Sequence, residues 1–153
     1  MTAEERLRRL GLELPDAVPP QGKYVPFVRT GNLVFTAGSG CYRDGEWVYQ
    51  GRVPDEVTVE EARDAARITG LNLLSTLRAA VGSLDKIARV VKVTGFVASA
   101  PGFCGQPEVV NGASELFMEV FGEKGNHARS AVGVSELPLN LPVEIEMIVE
   151  VKA

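Results

Sequence analysis

The segment Val143–Val151 constrains the fold most, because apolar and mainly acidic residues alternate along it. Valine, isoleucine and methionine occupy every odd position from 143 to 151, and glutamate occupies positions 144, 146 and 150. A period of two is that of a β-strand with one face in a core and the other outside it. The segment is therefore predicted to be a strand of a sheet that is covered on one side.

Two amphipathic helices are predicted to cover that side of the sheet. One starts at the capping box of residues 58–61 and runs to about Val81, and the other spans residues 107–121. Further strands are predicted elsewhere in the chain, at 24–29, 33–37, 46–49, 89–98 and 128–135. This order of elements predicts an α+β fold, in which a mixed sheet has its two main helices packed on one face.

Residues 1–21 are predicted to be a short helix followed by an extended arm. Thr2 and Glu5 form a capping box, and prolines follow at positions 15, 19 and 20. Residues 22–153 are then predicted to be a single domain, which suits a chain of 153 residues.

The sheet face away from the helices is predicted to carry both charged and apolar side chains. If the valines of the strand at 128–135 point to the helices, alternation places on the opposite face Arg129, Ala131, Glu144 and Ile148. A sheet face with apolar side chains tends to find a partner surface. We therefore expect a homo-oligomer whose subunits meet across their sheets, with these residues at or near the contact.

Composition argues against several functional classes. The chain has 16 Lys and Arg against 20 Asp and Glu, and this net charge of -4 disfavours non-specific nucleic-acid binding. Two cysteines without a CxxC motif and a single histidine predict neither a metal site nor a Ser-His-Asp triad. No stretch has the apolar length of a membrane span or a signal peptide, so we expect a cytoplasmic protein with free thiols.

Arg129 and Glu144 are the most informative polar pair, and two interpretations of them stay open. Neighbouring strands can bring them together as an ordinary cross-strand salt bridge, which is the interpretation that the residues alone favour. A functional site is the alternative. His127 is interpreted as a surface loop histidine, and Gly38-Ser39-Gly40 as a chain reversal whose backbone N–H groups are able to hold a small anion.

A series of short motifs follows in order along residues 22–151, namely Gly22-Lys23-Tyr24, Gly31-Asn32-Leu33-Val34-Phe35-Thr36-Ala37-Gly38, Val90-Val91-Lys92-Val93-Thr94-Gly95-Phe96-Val97, Val110-Asn111-Gly112, Ala128-Arg129-Ser130-Ala131-Val132, Leu137-Pro138 and Val143-Glu144-Ile145-Glu146. Together they resemble the signatures of the YjgF/RidA family. The resemblance implies a chorismate-mutase-like fold and a homotrimer whose sheets form a central barrel. It also implies ligand sites in the clefts between subunits.

The resemblance implies roles for individual residues. Arg129 resembles the arginine that grips a substrate carboxylate, and Glu144 resembles the acid that positions or activates water. Four further residues match positions that border the cleft: Tyr24 (from the neighbouring subunit), Gly38, Asn111 and Ala131. The implied ligand is a small carboxylate metabolite, and no cofactor is implied.

The activity that the resemblance implies is hydrolysis of 2-imino and enamine acids, such as 2-aminoacrylate, to 2-keto acids and ammonia. Two departures favour an alternative, because Ala131 stands where the family often has cysteine and Ser39 where it usually has glutamine. That alternative is a module that binds a carboxylate metabolite without turning it over. An endoribonuclease is a third possibility, which the acidic charge and the single histidine disfavour.

Overall fold

A five-stranded sheet forms the centre of the computed structural model, which describes residues 1–153. In chain order the strands are β1 (Phe27–Thr30), β2 (Leu33–Thr36), β3 (Tyr42–Arg43), β4 (Glu46–Trp47), β5 (Ile87–Ala98), β6 (Ala128–Val134) and β7 (Val143–Val151). Strands β3 and β4 pair as a separate hairpin, and the others lie in the order β1-β2-β7-β5-β6. The sheet is mixed, because β5 and β6 run parallel and the other neighbours antiparallel.

Three α-helices accompany the sheet, namely α1 (Ala3–Arg9), α2 (Val59–Val81) and α3 (Gln106–Phe121). The side chains of Thr2 and Thr58 accept hydrogen bonds from the backbone three residues on, which confirms both predicted capping boxes. Short 3-10 segments occur at Leu84–Lys86, Gly122–Gly125 and Pro138–Asn140. None of the helices combines the length and the apolar character that a membrane crossing requires.

The hydrophobic core lies between one face of the sheet and helices α2 and α3. Every odd-numbered residue of β7 is buried, as its alternation predicted. These residues share one core cluster with Leu73 and Leu77 of α2 and with Phe117 of α3. The α+β fold, with a mixed sheet and two main helices packed on one face, is therefore confirmed.

Strand β6 faces the opposite way from its predicted orientation. Val132 is 44% exposed, whereas Arg129 reaches α3 and Ala131 packs against the core. The reason is space, because β6 runs close beneath α3. A Cβ at Gly133 would lie only 2.7 Å from Gln106 Nε2. Small side chains and one long polar side chain fit this gap, so the bulkier valine points outward.

The other face of the sheet carries exposed apolar side chains. Val28 and Phe35 are 56% and 40% exposed, and they lie beside each other on β1 and β2. Phe35 in turn lies beside Ile148, so the apolar positions continue onto β7. Glu144 shares the side of Ile148, as predicted, because both alternate with buried residues. This face is able to take a partner surface.

The close approach of α2 and α3 depends on Gly112. A Cβ at this position would clash with the backbone carbonyl of Arg63, whereas a Cβ at Gly70 would meet the flexible tip of Leu116 at 2.9 Å. We expect Gly112→Ala to lower the free energy of unfolding by about 1–3 kcal/mol, as overpacking does. Urea denaturation measures this change. Alanine has a higher helix propensity than glycine in the interior of both helices, so Gly70→Ala is the matched control. Equal stabilities of the two variants would contradict a close backbone contact at Gly112.

Candidate functional site

A cavity of about 400 Å³ opens between the segment before β1, the end of β2 and the loop before β7. We name it the Glu144 cavity. Glu144 and Gly38 form its polar wall, and Tyr24 borders it. Trp47 and Leu141 contribute to its apolar wall. Three of the predicted site residues, Tyr24, Gly38 and Glu144, thus come together within one protomer.

Gly38 is held against Glu144 by a bridge between the loop after β2 and strand β7. Ser39 N donates to Ile145 O at 2.9 Å, and Ile145 N donates to Ser39 O at 3.0 Å. A Cβ at position 38 would lie 2.5 Å from Glu144 Oε2. A larger residue would displace the carboxylate, which at this glycine rests against bare backbone.

The carboxyl group of Glu144 has an increased proton affinity. Burial raises its pKa above the ordinary value, and the neighbouring charge of Glu146 raises it further. No hydrogen-bond donor and no cation of the chain offsets these two effects. A carboxyl group with unoccupied oxygens and a raised pKa suits a residue that exchanges protons with a ligand.

The apolar wall of the Glu144 cavity is built around Gly40. A Cβ at this position would lie 2.5 Å from Leu141 Cδ1 and 3.3 Å from Trp47 Cζ3, so both side chains pack on bare backbone. Trp47 also meets Tyr42 edge-on, with 4.9 Å between the ring centroids. The β3–β4 hairpin therefore supplies one wall of the cavity, a role that the sequence did not indicate.

A second group of polar residues, which we name the arginine cluster, consists of Arg129, Asn111, Ser114 and His127. Arg129 Nη1 donates to Asn111 Oδ1 at 2.7 Å and to Ser114 Oγ at 3.1 Å. Its Nη2 donates to Pro107 O at 3.3 Å. A guanidinium carries five N–H donors, so Nε–H and one Nη2–H stay free. No carboxylate pairs with Arg129, and its charge is open to an anion.

His127 belongs to the arginine cluster and is not the surface loop histidine that the sequence favoured. Its half-buried ring meets Phe117 edge-on, with 6.1 Å between the ring centroids. Nδ1 lies 2.6 Å from Gly125 O, and Nε2 lies 2.9 Å from Ser114 Oγ. Burial lowers the pKa of His127, and the charge of Arg129 lowers it further.

No three His, Cys, Asp or Glu side chains lie close enough together to hold a metal ion.

The Glu144 cavity and the arginine cluster lie on opposite faces of the sheet. Arg129 points toward α3, whereas Glu144 points away from the buried side of β7. The prediction that they share a face is therefore wrong, and the cross-strand salt bridge that the residues alone favoured does not form. The other predicted site residues divide between them: Asn111 and Ala131 lie with Arg129, and Tyr24 and Gly38 lie with Glu144.

The sequence matches one known protein family over almost its whole length. The family described as "YjgF/chorismate mutase-like, putative endoribonuclease" matches residues 4–151. The chain belongs to this YjgF family. Protein TCP17 of Trypanosoma cruzi is 43% identical over 145 residues, which cover 94% of this chain and 91% of TCP17. A 2-iminobutanoate/2-iminopropanoate deaminase of Dermatophagoides farinae is 31% identical over 141 residues, which cover 92% of this chain and 95% of the deaminase.

A solved structure agrees with the family assignment. The crystal structure of the protein Atu1372 with unknown function from Agrobacterium tumefaciens superimposes with a TM-score of 0.90 at 44% identity. The match covers 99% of this YjgF-family chain and 93% of the other. The YjgF/RidA resemblance of the motifs and the chorismate-mutase-like fold are therefore both confirmed.

The raised pKa of Glu144 predicts that its negative charge destabilises the fold. A group whose folded-state pKa is raised adds stability below its unfolded-state pKa, and this contribution is lost as pH rises through the folded-state pKa. Glu144→Gln should therefore unfold a few degrees above the parent protein at about pH 7, and the difference should vanish below about pH 4.

Thermal unfolding followed by circular dichroism over this pH range measures the effect. Glu150→Gln is the control, because Glu150 lies on the same side of β7 but is exposed. A Glu144→Gln protein that is less stable than the parent at neutral pH would show that the carboxylate has a stabilising partner.

Proposed function

We propose that this protein hydrolyses small reactive 2-imino and enamine acids to 2-keto acids and ammonia, as a 2-iminobutanoate/2-iminopropanoate deaminase does. The main support is Arg129, which bonds only neutral acceptors and keeps two donors for a carboxylate. Glu144, with a raised pKa beside a cavity, supports a role in proton exchange. The similarity to a deaminase of this name is consistent with the proposal.

The site is proposed to form between copies of the chain. Arg129 and Glu144 of one protomer lie on opposite sheet faces, so a small ligand reaches both groups when they come from different protomers. A homotrimer would provide such clefts and would cover the exposed apolar side chains of the uncovered face. The two free cysteines suit a protein that works in the cytoplasm.

In the proposed mechanism Arg129 binds the substrate carboxylate through its free Nε–H and Nη2–H and thereby fixes the imine carbon. Glu144 orients a water molecule and accepts its proton as the oxygen adds to the C=N carbon. Glu144 passes this proton to the nitrogen, which gives a neutral carbinolamine. Glu144 then accepts the proton of the carbinolamine hydroxyl and returns it to the amino nitrogen, so that the C–N bond breaks, the C=O bond forms and ammonia leaves. An enamine acid first tautomerises to the imine, gaining a proton at carbon and losing one from nitrogen. General acid–base catalysis of this kind increases the reaction rate roughly 10²–10⁴-fold. The imine carbon is itself electrophilic, so the chemistry requires no cofactor.

A module that binds a carboxylate without turning it over is the second candidate function. Ala131 supports it, because a methyl group beside Arg129 adds no polar group to the site. Titration calorimetry with 2-ketobutanoate, combined with an assay of ammonia release from 2-aminoacrylate, separates the two functions. Cleavage of RNA has less support, since the net charge is -4 and both ring nitrogens of His127 are engaged within the chain.

Removal of the Arg129 fork should abolish most of the activity. With 2-iminobutanoate as substrate, Arg129→Ala should lower the enzymatic rate by about 10²-fold or more. Arg129→Lys should lower it nearly as much, because lysine lacks the planar guanidinium that binds a carboxylate with two parallel hydrogen bonds. Ammonia release above the uncatalysed rate is the measurement. Arg29→Ala is the control, since Arg29 is exposed and bonds only Gly31 O. Normal rates in Arg129→Ala would rule out hydrolysis at this site.

Subunit mixing tests whether Arg129 and Glu144 act from different protomers. Arg129→Ala and Glu144→Gln should each be inactive alone, because every cleft then lacks one group. Random mixing in equal amounts should restore about a quarter of the clefts of a cyclic trimer, since each mixed trimer regains one complete cleft. Activity after joint refolding measures this recovery. A mixture of Arg129→Ala with Arg129→Lys is the control, and no recovery in the first mixture would contradict a shared cleft.

A further inference from the structure

We propose that His127 is a positioning residue for Arg129 and that it acts through the hydroxyl group of Ser114. The inference rests on the proposed carboxylate site, but it concerns how the guanidinium is held and not the hydrolytic step. His127 itself contacts Ser114 and Gly125. Through Ser114 it acts on the arginine.

The hydrogen bonds of His127 have a defined direction. Nδ1 lies 2.6 Å from Gly125 O, and a carbonyl oxygen only accepts, so Nδ1 carries the proton of the neutral ring. Nε2 is then an acceptor, and the Ser114 hydroxyl donates its single proton to it over 2.9 Å. The remaining lone pairs of Ser114 Oγ are thereby available to Arg129.

Ser114 in this orientation accepts a hydrogen bond from the guanidinium of Arg129. Arg129 Nη1 donates one hydrogen bond to Asn111 Oδ1 and a second to Ser114 Oγ. Without Ser114 the guanidinium would keep Asn111 Oδ1 at Nη1 and the longer bond of 3.3 Å from Nη2 to Pro107 O, whereas Ser114 adds a second acceptor at Nη1 and so fixes the guanidinium plane. The free Nε–Nη2 edge then keeps one direction, which a bidentate carboxylate requires.

The surroundings of His127 favour the neutral ring that this arrangement needs. Burial lowers its pKa, the hydrogen bond to Gly125 O raises it, and the Arg129 charge lowers it, with a net lowering that favours the neutral ring. Arg89 of β5 and Glu150 of β7 line the same surface depression as His127, whereas Arg129 is the charged group that shifts its pKa. A protonated ring would direct an N–H at the Ser114 hydroxyl and place a second positive charge beside Arg129.

Two substitutions separate the hydrogen bond of His127 from its packing. His127→Phe keeps a ring against Phe117 but has no acceptor, whereas His127→Gln keeps an acceptor near the position of Nε2. In the 153-residue protein His127→Phe should weaken the binding of 2-ketobutanoate about 3- to 10-fold and raise KM for the imine substrate by a similar factor, with kcat changed less than about twofold. His127→Gln should recover most of the affinity. His127→Leu replaces His127→Phe if the latter does not fold.

A double variant shows whether the effect passes through Ser114. Ser114→Ala should weaken 2-ketobutanoate binding by a similar factor, and adding His127→Phe to it should change the Kd by less than about twofold. Additive effects, or an unchanged Kd in a folded His127→Phe protein, would overturn the proposal. If 2-ketobutanoate binding follows the expected pattern but imines are not hydrolysed, the positioning role stands and the proposed reaction fails. A parent protein that binds no 2-keto acid would overturn both.

Discussion

A positive charge held only by neutral groups is the feature on which the candidate site depends. Arg129 is half-buried beneath α3, where its acceptors are an amide, a hydroxyl and a backbone carbonyl. A partly buried charge without a counter-ion is unfavourable, and neutral acceptors offset only part of that cost. An anion at the free edge of the guanidinium supplies the missing compensation. A planar carboxylate matches that edge in both charge and shape, so the cluster is organised for one before a ligand binds.

The sheet keeps Arg129 and Glu144 apart, and this separation preserves the properties of both. If they faced each other within one chain, they would form an internal salt bridge, which would lower the pKa of the acid and occupy the arginine. Instead β5 lies between their strands and their side chains leave opposite faces. Glu144 therefore keeps a raised pKa, and Arg129 keeps an uncompensated charge. In the proposed homotrimer, the ligand would lie between Arg129 of one protomer and Glu144 of the next, so each group would face the ligand and not the other.

The fold could be predicted from the sequence wherever a periodic pattern allows only one type of element and one buried face. In β7 large apolar residues alternate with glutamates, and at α2 a capping box precedes a long apolar stripe, so burial and helix start follow directly. In β6 the pattern is weak, because small and apolar residues occupy both faces. Its orientation is decided by the narrow gap beneath α3 and by the polar side chains of Asn111 and Ser114 there. These are tertiary constraints, which strand periodicity does not contain.

The candidate site was only partly predictable, because motif resemblance points to single residues and not to what holds them. It assigned Arg129 and Asn111 but missed Ser114 and His127. Two spacing signals were nevertheless present. Ser114 follows Asn111 by three residues, which puts both on one side of α3, and His127 precedes Arg129 by two residues of extended backbone, which puts both on one side of the chain. A lone histidine was discounted because a metal site or a catalytic triad needs more titratable partners. Orientation of a serine hydroxyl needs only one acceptor nitrogen, so the number of histidines does not limit this role.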